Sequence, residues 1–385
     1  MRPPSGDPLH WMLGAQAEKF FERAYEREPV VVRHNEPSRF HSLLSIASVD
    51  RKIAELDLRQ GMLEMADASR QISVTDFVSE SGAIDRVAIS RLYRGGSTII
   101  LNQLHQSDIN LAAFCRSVEA VFSCHVQTNT YLTPPGSQGF RTHYDNHDVF
   151  ILQVEGEKAW RLYDQPVDAP YRGERFQHGE HPVGEPRHTF VLKAGDSAYV
   201  PRGLMHDAST SGDRASLHIT CGLIVRTWAD LFLEAVSEVL VEDPDFRRSL
   251  PPGFADQNFD RTAADRHFQS LLSRLKDKAR INAAMDLLTE QFIRSREPDL
   301  RGAIENATLP LAERYQARPS PWWLEEDKDG LRLVIPGGIM TFSRAPRAVI
   351  ERMLSGQPFT PANLGDGAED LIRRMMANGL IERAD

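Results

Sequence analysis

The stretch NTYLTPPGSQGFRTHYDNHDVFILQVEGEKAWRLYD, residues 129–164, joins a cluster of polar side chains to an apolar run. The run from Val149 to Leu152 predicts a buried strand. The residues from His143 to Asp148 crowd imidazoles and carboxylates against its edge. Such a cluster is either a solvated loop or the wall of a site that holds a positive ion.

The surrounding region, residues 124–225, is rich in short β-like runs. Most of them are cut by Gly, Pro or Asp, and only a thin helical pattern lies between them. The runs are VQTNTYLT, DVFILQVEG, KAWRLYD, HTFVLKAGDSAYVP and ASLHITCGLIV. This pattern predicts an antiparallel barrel or a double-sheet jelly roll.

The flanking regions differ in pattern from this β-rich region. Before it, the runs QISV, DRVAI and STIILN read as strands, and apolar residues at helical spacing predict a helix over 109–123. After it, residues 226–304 are helical, with an apolar stripe that either packs on the β domain or pairs with a second subunit. Residues 305–385 follow the order strand, helix, helix, strand. We therefore predict three domains: 1–225 with a jelly-roll core from about 95, 226–304, and 305–385.

The bulk composition favours a soluble cytoplasmic protein. The chain has 385 residues, 26% of them charged, and a net charge of −9, which disfavours broad nucleic-acid binding. Its three cysteines, an odd number without CxxC spacing, indicate reduced thiols. The charged N-terminus does not resemble a signal peptide, and no apolar run predicts a membrane span.

The polar cluster contains a candidate metal site. In a strand, side chains two apart share a face, so His143 and Asp145 are predicted to point the same way. The best third ligand is His206, in YVPRGLMHDAST after a predicted strand and tight turn. Two imidazoles and one carboxylate form the facial triad of non-haem Fe(II) oxygenases. The same set also suits Zn²⁺ with a bound water.

The same period of two places His147 on the inner face and Asp148 outside. His147 is therefore predicted to face the substrate, or to orient Asp145 or a ligand histidine, rather than to bind the metal.

Residues 129–164, followed by GDSAYVPRGLMHDA, resemble the JmjC-domain 2-oxoglutarate oxygenases, and more narrowly the ribosomal-oxygenase-like subgroup of the cupin superfamily. The resemblance is dense over about 125–225 and includes the specific pattern GSQG-x-x-x-H-x-D-x-x-x-x-F-I-L-Q-x-E-G-x-K-x-W. It implies an α+β fold with a double-stranded β-helix (jelly-roll) core and N-terminal helices and strands. It also implies a helical dimerisation region and a C-terminal winged-helix-like module.

The resemblance also implies roles for individual residues. His143, Asp145 and His206 are expected to hold Fe(II). The distal carboxylate of the co-substrate 2-oxoglutarate is expected to meet Lys158, since a buried dicarboxylate needs a paired cation. Asn129 and Tyr131 match positions that hydrogen-bond the co-substrate. His218 either faces the same cavity or is an ordinary interior histidine.

The implied reaction is decarboxylation of 2-oxoglutarate to succinate and carbon dioxide, coupled to hydroxylation of a side chain in a protein or peptide. Arginine or histidine of a ribosomal protein, or a biosynthetic precursor peptide, is the expected target. Two other functions stay open: a metal-dependent cupin enzyme without 2-oxoglutarate, and a non-catalytic JmjC-like binding protein. A homodimer is expected. Because Lys and Arg roughly balance Asp and Glu in residues 305–385, DNA binding by that module is disfavoured.

Overall fold

The computed structural model describes residues 7–328, 330–343, 346–365 and 367–384. The chain divides into two compact units, Met1–Val225 and Arg226–Asp385. The three-domain division predicted from the sequence stays a prediction.

The first unit is built on two antiparallel sheets. Its described strands are β1 Val30–Val32, β2 Leu63–Ala66, β3 Thr98–Leu101, β4 His125–Thr133, β5 Asp148–Glu155, β6 Glu157–Leu162, β7 His188–Lys193, β8 Ser197–Val200, β9 His206–Thr210 and β10 Ser216–Ile224. The large sheet has the order β1-β8-β5-β10-β4-β3-β2, and the small sheet has the order β7-β6-β9. The predicted antiparallel cupin fold, with helices before it, is confirmed.

Helices precede and flank the strands of this unit. They are α1 Pro8–Leu13, α2 Phe20–Arg23, α3 Ile46–Glu55, α4 Arg86–Arg94 and α5 Ile109–Phe122. The helix predicted over 109–123 is confirmed as α5, and the strand in STIILN is confirmed as β3. The strands predicted in QISV and DRVAI were wrong, because residues 71–73 form no regular element and Arg86–Arg94 is a helix. The Asp85 side chain accepts hydrogen bonds from the backbone N–H groups of Val87 and Ala88, which caps a helix at this point.

Strand β5 shows why its sequence is apolar without alternation. Phe150 and Leu152 belong to the main core, together with helical residues such as Phe20 and Phe114. Val149 and Ile151 point the other way and belong to a second apolar cluster that includes Leu162 and Leu192 of the small sheet. Both faces of the large sheet are thus covered here, and its second face, toward the small sheet, carries the site residues.

The second unit begins with helices and ends with a small mixed fold. Its described helices and strands are α6 Trp228–Glu242, α7 Thr262–Lys278, α8 Ile281–Arg294, β11 Tyr315–Ala317, β12 Trp323–Asp327, β13 Gly330–Ile335, β14 Gly338–Phe342, α9 Arg347–Leu354, α10 Ala368–Ala377 and β15 Ile381–Arg383. Strands β12, β13 and β14 form one sheet, and β11 pairs with β15. Where the sequence predicted one strand before the two helices of residues 305–385, the described residues form β11 to β14, and β13 and β14 are a hairpin that turns at residues 336–337.

Within the described residues, every helix is too short or too polar to cross a bilayer.

Candidate metal centre and co-substrate cavity

A cavity of about 550 Å³ opens between the two sheets of the first unit. Side chains of both sheets line it: Gln127, Tyr131, Val149, Ile151, His218 and Thr220 from the large sheet, and Lys158, Trp160, His206 and Ala208 from the small sheet. Because strands of both sheets place alternate side chains inward, residues far apart in sequence meet in this space.

His143 and His206 lie side by side at the cavity wall. Each backbone N–H donates to the carbonyl of the other, over 3.1 and 2.7 Å, and the ring centroids are 4.8 Å apart. The Nδ1 of His143 lies 2.8 Å from the Arg141 carbonyl, and the Nδ1 of His206 lies 3.0 Å from the Leu204 carbonyl. A carbonyl only accepts, so each Nδ1 carries a proton, and in the neutral tautomer that this selects the lone pair is on Nε2.

Asp145 completes this group. One of its carboxylate oxygens is 3.7 Å from Nε2 of His206, and one donor atom from each of His143, Asp145 and His206 lies within 4.8 Å of the others. The three residues are the one such group found among the described residues. They form a set of two neutral imidazole nitrogens and one carboxylate, which fits a divalent transition metal.

The local electrostatics favour the ligand forms of these residues. Burial lowers the pKa of His206, and the nearby His143 lowers it further, so the ring is neutral. Burial raises the pKa of Asp145, but His147, His143 and His206 outweigh it and hold that pKa below its ordinary value. The carboxylate is therefore ionised, as a metal ligand must be.

The route by which His143 and Asp145 converge differs from the prediction. The segment is not a strand: His143 makes one isolated bridge with His206, and β5 begins only at Asp148. A hydrogen bond of 2.9 Å from the backbone N–H of Gly203 to the carbonyl of Asp145 fixes the segment instead. Asp148 points away from the cavity, but it is fully buried rather than outside.

Lys158 lies on β6 with its ammonium group inside the cavity. Its side chain is 4% exposed, and Nζ donates to the hydroxyl of Thr133 over 3.0 Å. No carboxylate among the described residues pairs with it. Burial lowers the pKa of Lys158 to about 7. A buried amine with only a hydroxyl partner is a binding group for an anion.

Tyr131 and His218 form the wall beside Lys158. Their rings stack with centroids 4.7 Å apart and an interplanar angle of 5°. Burial, and then the nearby Lys158, lower the pKa of His218 far below its ordinary value, and its Nδ1 has no hydrogen-bond partner among the described residues. Asn129 is not among the described residues that line the cavity, and its side-chain oxygen accepts a hydrogen bond from the backbone N–H of Gln103 over 3.0 Å.

His147 lies against the middle of the large sheet and lines the cavity. A Cβ at Gly222 of β10 would come within 2.6 Å of the His147 ring, so the glycine leaves the space that the imidazole occupies. His147 was predicted to face inward because of strand alternation. The segment is not a strand, but the His147 ring does face the cavity.

Several cavity residues were missed in the sequence. Trp160 lines the cavity two positions after Lys158, and within the part of the chain that the structure describes its Nε1 has no hydrogen-bond partner. Alternation along the strand in KAWRL would have predicted that Trp160 faces the same side as Lys158. Arg175, Phe176 and His178 also line the cavity, from the connection between β6 and β7. No periodic pattern marks them.

Residues 102–231 match the JmjC domain. The chain belongs to the JmjC-domain family. Ribosomal oxygenase 1 from Bos taurus is 33% identical over 332 residues, which cover 80% of this chain and 49% of that protein. The bifunctional lysine-specific demethylase and histidyl-hydroxylase NO66 from Dictyostelium discoideum is 33% identical over 248 residues, covering 61% of this chain and 47% of that protein.

A solved structure shares the fold of this JmjC protein. The Escherichia coli ribosomal oxygenase YcfD, in complex with cobalt and 2-oxoglutarate, aligns over 96% of this chain and 99% of its own, with a TM-score of 0.57 and 14% identity. The chain spans about half the length of the curated relatives it matches. The JmjC protein is ribosomal-oxygenase-like, as the sequence predicted.

Proposed function

We propose that the protein is an Fe(II)- and 2-oxoglutarate-dependent oxygenase that hydroxylates a side chain of a protein or peptide. One observation carries the proposal: one cavity holds a 2-His-1-carboxylate group and a buried lysine that pairs with no carboxylate of the described residues. The first suits a metal with open positions, and the second suits a dicarboxylate. The relatives that are named oxygenases and hydroxylases support the same activity.

In this proposal His143, Asp145 and His206 hold Fe(II). Both Nδ1 atoms are occupied by backbone carbonyls, which fixes the tautomer and aims each Nε2 at the ion. With 2-oxoglutarate and oxygen, the bound metal supplies the oxidant for an unactivated C–H, while 2-oxoglutarate becomes succinate and carbon dioxide. The chain itself supplies ligand geometry, a binding site for the co-substrate and a wall for the substrate.

Lys158 receives the distal carboxylate of 2-oxoglutarate in this proposal. Thr133 holds the amine in place, and the pair gives the carboxylate a cation and a hydroxyl in a water-poor setting. The stacked Tyr131 and His218 form the side wall. The side chains of Asn129 and Thr220 hydrogen-bond the phenol of Tyr131. These bonds lower the pKa of the phenol, but burial outweighs them and raises it to about 12.

The charges in the cavity favour a neutral target side chain. Among the described residues that line it, only Asp145 and Asp207 carry carboxylates. Asp145 is a proposed metal ligand. The oxygens of Asp207 already accept from Thr142, Tyr163 and Arg161, at 2.7 Å each. A guanidinium would find no free carboxylate here, so histidine is favoured over arginine as the target.

The helical part of the second unit supports a homodimer. Trp228, Phe232 and Leu272 are 70%, 67% and 41% exposed, and they surround an apolar cleft of about 410 Å³. Large apolar patches on soluble proteins mark interaction sites. The proposed occupant is the same face of a second copy.

Residues 305–385 are proposed as a winged-helix-like module with a protein-docking or structural role. The protein is proposed to be cytoplasmic.

A turnover assay tests the proposed activity. The full chain, loaded with Fe(II), is given 2-oxoglutarate and ribosomal proteins from cells that lack this gene. We expect succinate formation and the addition of one oxygen atom to a histidine-containing peptide, located by tandem mass spectrometry. Iron-loaded protein that never consumes 2-oxoglutarate would favour a binding protein. Turnover of another substrate with zinc and no 2-oxoglutarate would favour the other cupin enzymes.

A further inference from the structure

Two chain segments carry the three proposed metal ligands. We call residues 143–148 the first ligand segment and residues 199–206 the second ligand segment. Their backbones meet at the paired hydrogen bonds of His143 with His206 and at the bond from Gly203 to Asp145. Backbone contacts of this kind fix the distance between the segments at two points on the cavity side.

A third connection lies on the opposite side of the large sheet. The carboxylate of Asp148 has 0% of its surface exposed, and it accepts from the hydroxyl of Tyr199 over 2.5 Å and from a guanidinium nitrogen of Arg202 over 2.9 Å. None of these three side chains lines the cavity. The pair joins the end of the first ligand segment to the turn that precedes His206.

The same charge pair is tied to the N-terminal part of the unit. Arg202 also contacts a carboxylate oxygen of Glu26 at 2.7 Å. The hydroxyl of Tyr199 accepts from the backbone N–H of Glu26 over 2.8 Å. Glu26 itself has a positive φ of 59°, which is uncommon for a residue with a side chain. Asp148, Tyr199 and Arg202 are buried, and with Glu26, whose side chain is 39% exposed, they form one cluster, here called the clamp.

Stability alone gives a weak reason for such a cluster. Removing two charges from water costs much of what their attraction returns, and apolar residues of similar size often stabilise a fold as well or better. Charge-assisted hydrogen bonds do offer directional constraint, because length and angle are narrowly set. The clamp applies that constraint three residues after Asp145 and four residues before His206.

We infer that Asp148 and Arg202 are positioning residues that hold the two ligand segments at the spacing one metal ion requires. This inference rests on the proposed function of the cavity. The pair acts through the backbone: Arg202 sets the turn that presents Gly203 to Asp145, and Asp148 sets the start of β5. Tyr199 and Glu26 keep the pair from rotating.

The test is Co(II) binding by the full chain. Calorimetry measures the affinity, and visible absorption reports the ligand geometry through its band pattern. Asp148→Asn and Arg202→Met should each lower Co(II) affinity about 10- to 100-fold and change the bands. Asp148→Glu, which keeps the charge, should recover part of the loss. Folded variants with wild-type affinity and an unchanged spectrum would overturn the inference.

Lys52→Met is the matched control. Lys52 pairs with Asp108 at 2.8 Å in the same unit, both side chains are largely buried, and neither residue belongs to a ligand segment. This variant should lower thermal stability but leave Co(II) binding unchanged. An equal loss of Co(II) affinity in the control would mean that the clamp acts through stability alone.

Tyr199→Phe covers the case in which the charge variants fail to fold. It removes one hydrogen bond from Asp148 and leaves both charges in place. Co(II) affinity should fall several-fold, and no change would overturn the inference. A wild-type chain that binds no Co(II) would instead refute the proposed function, so the two failures are distinguishable.

Discussion

His143 and His206 are joined by two backbone hydrogen bonds, one in each direction, while their rings lie with centroids 4.8 Å apart. The bridge brings together two residues that are distant in sequence, and their ring planes are inclined at 52° to each other. Each ring donates its Nδ1 proton to a carbonyl two residues before it in the chain. The two free Nε2 atoms can therefore bind one ion without rearrangement of the backbone.

Replacing His206 should remove metal binding. His206→Ala deletes one of the three proposed ligands and should abolish both Co(II) binding and succinate formation, while circular dichroism shows a folded protein. His188→Ala, at an exposed position of β7, is the control and should retain both. Normal turnover by metal-loaded His206→Ala would remove His206 from the ligand set.

Replacing Lys158 should weaken 2-oxoglutarate binding. Lys158→Met removes the cation proposed to meet a buried carboxylate, a change that costs about 2 kcal/mol or more, or at least roughly 30-fold in affinity. Co(II) affinity should stay unchanged. Lys193→Met, at an exposed position opposite Glu157, is the control. If Lys158→Met binds 2-oxoglutarate normally, another group holds that carboxylate.

The affinity for 2-oxoglutarate should depend on pH through Lys158. The pKa of this amine is about 7 in the free protein, and a bound carboxylate would raise that pKa. Below about pH 7 the amine is already charged, so affinity is constant. Above it, binding must take up a proton, and affinity falls by up to about tenfold per pH unit. Calorimetry in buffers of different ionisation enthalpy measures this proton uptake, which Lys158→Met should lose.

Gly222 and His147 should be coupled in stability. Gly222→Ala places a methyl group about where the His147 ring lies, and such overpacking costs about 1–3 kcal/mol in the free energy of unfolding. Adding His147→Ala should recover most of that loss, as measured by urea denaturation. Additive effects of the two substitutions would show that the ring does not need the space above Gly222.

Charge on the helical face should break the proposed dimer. Trp228→Glu and Phe232→Glu each place a carboxylate in the apolar face and should give monomers in light scattering coupled to size exclusion. Val87→Glu is a suitable control, because Val87 is 75% exposed in the first unit. A dimer that survives both substitutions uses another surface.

The sequence predicted the strands near the cavity because their patterns are local. The runs that became β4, β5 and β10 carry β-branched and aromatic residues between turn signals. Strand spacing predicted that His143 and Asp145 share a face, and His206 was the best third ligand; the motif resemblance then implied that all three hold Fe(II). The assumed strand geometry was wrong, since a single bridge and the Gly203 turn create the site.

Long-range pairing was beyond sequence reasoning. Alternation along a strand predicts which side of the sheet a residue faces, but it does not predict whether that side is exposed to solvent. Asp148 was therefore predicted to lie outside, whereas helices cover that side of the sheet and bury it. Its partner Arg202 lies 54 residues away, and that ion pair depends on tertiary structure. The helix in DRVAI shows another limit, because the cap supplied by Asp85 outweighed the β propensity of Val87 and Ile89.

The central claim is that the cavity holds Fe(II) and 2-oxoglutarate together. The most direct test is an anaerobic titration of the full chain with both, monitored by visible absorption. The claim predicts a charge-transfer band that appears only when both are present and saturates at one of each per chain. It also predicts no band with His143→Ala. A chain that binds no Fe(II), or that binds 2-oxoglutarate equally well without metal and in Lys158→Met, would contradict it.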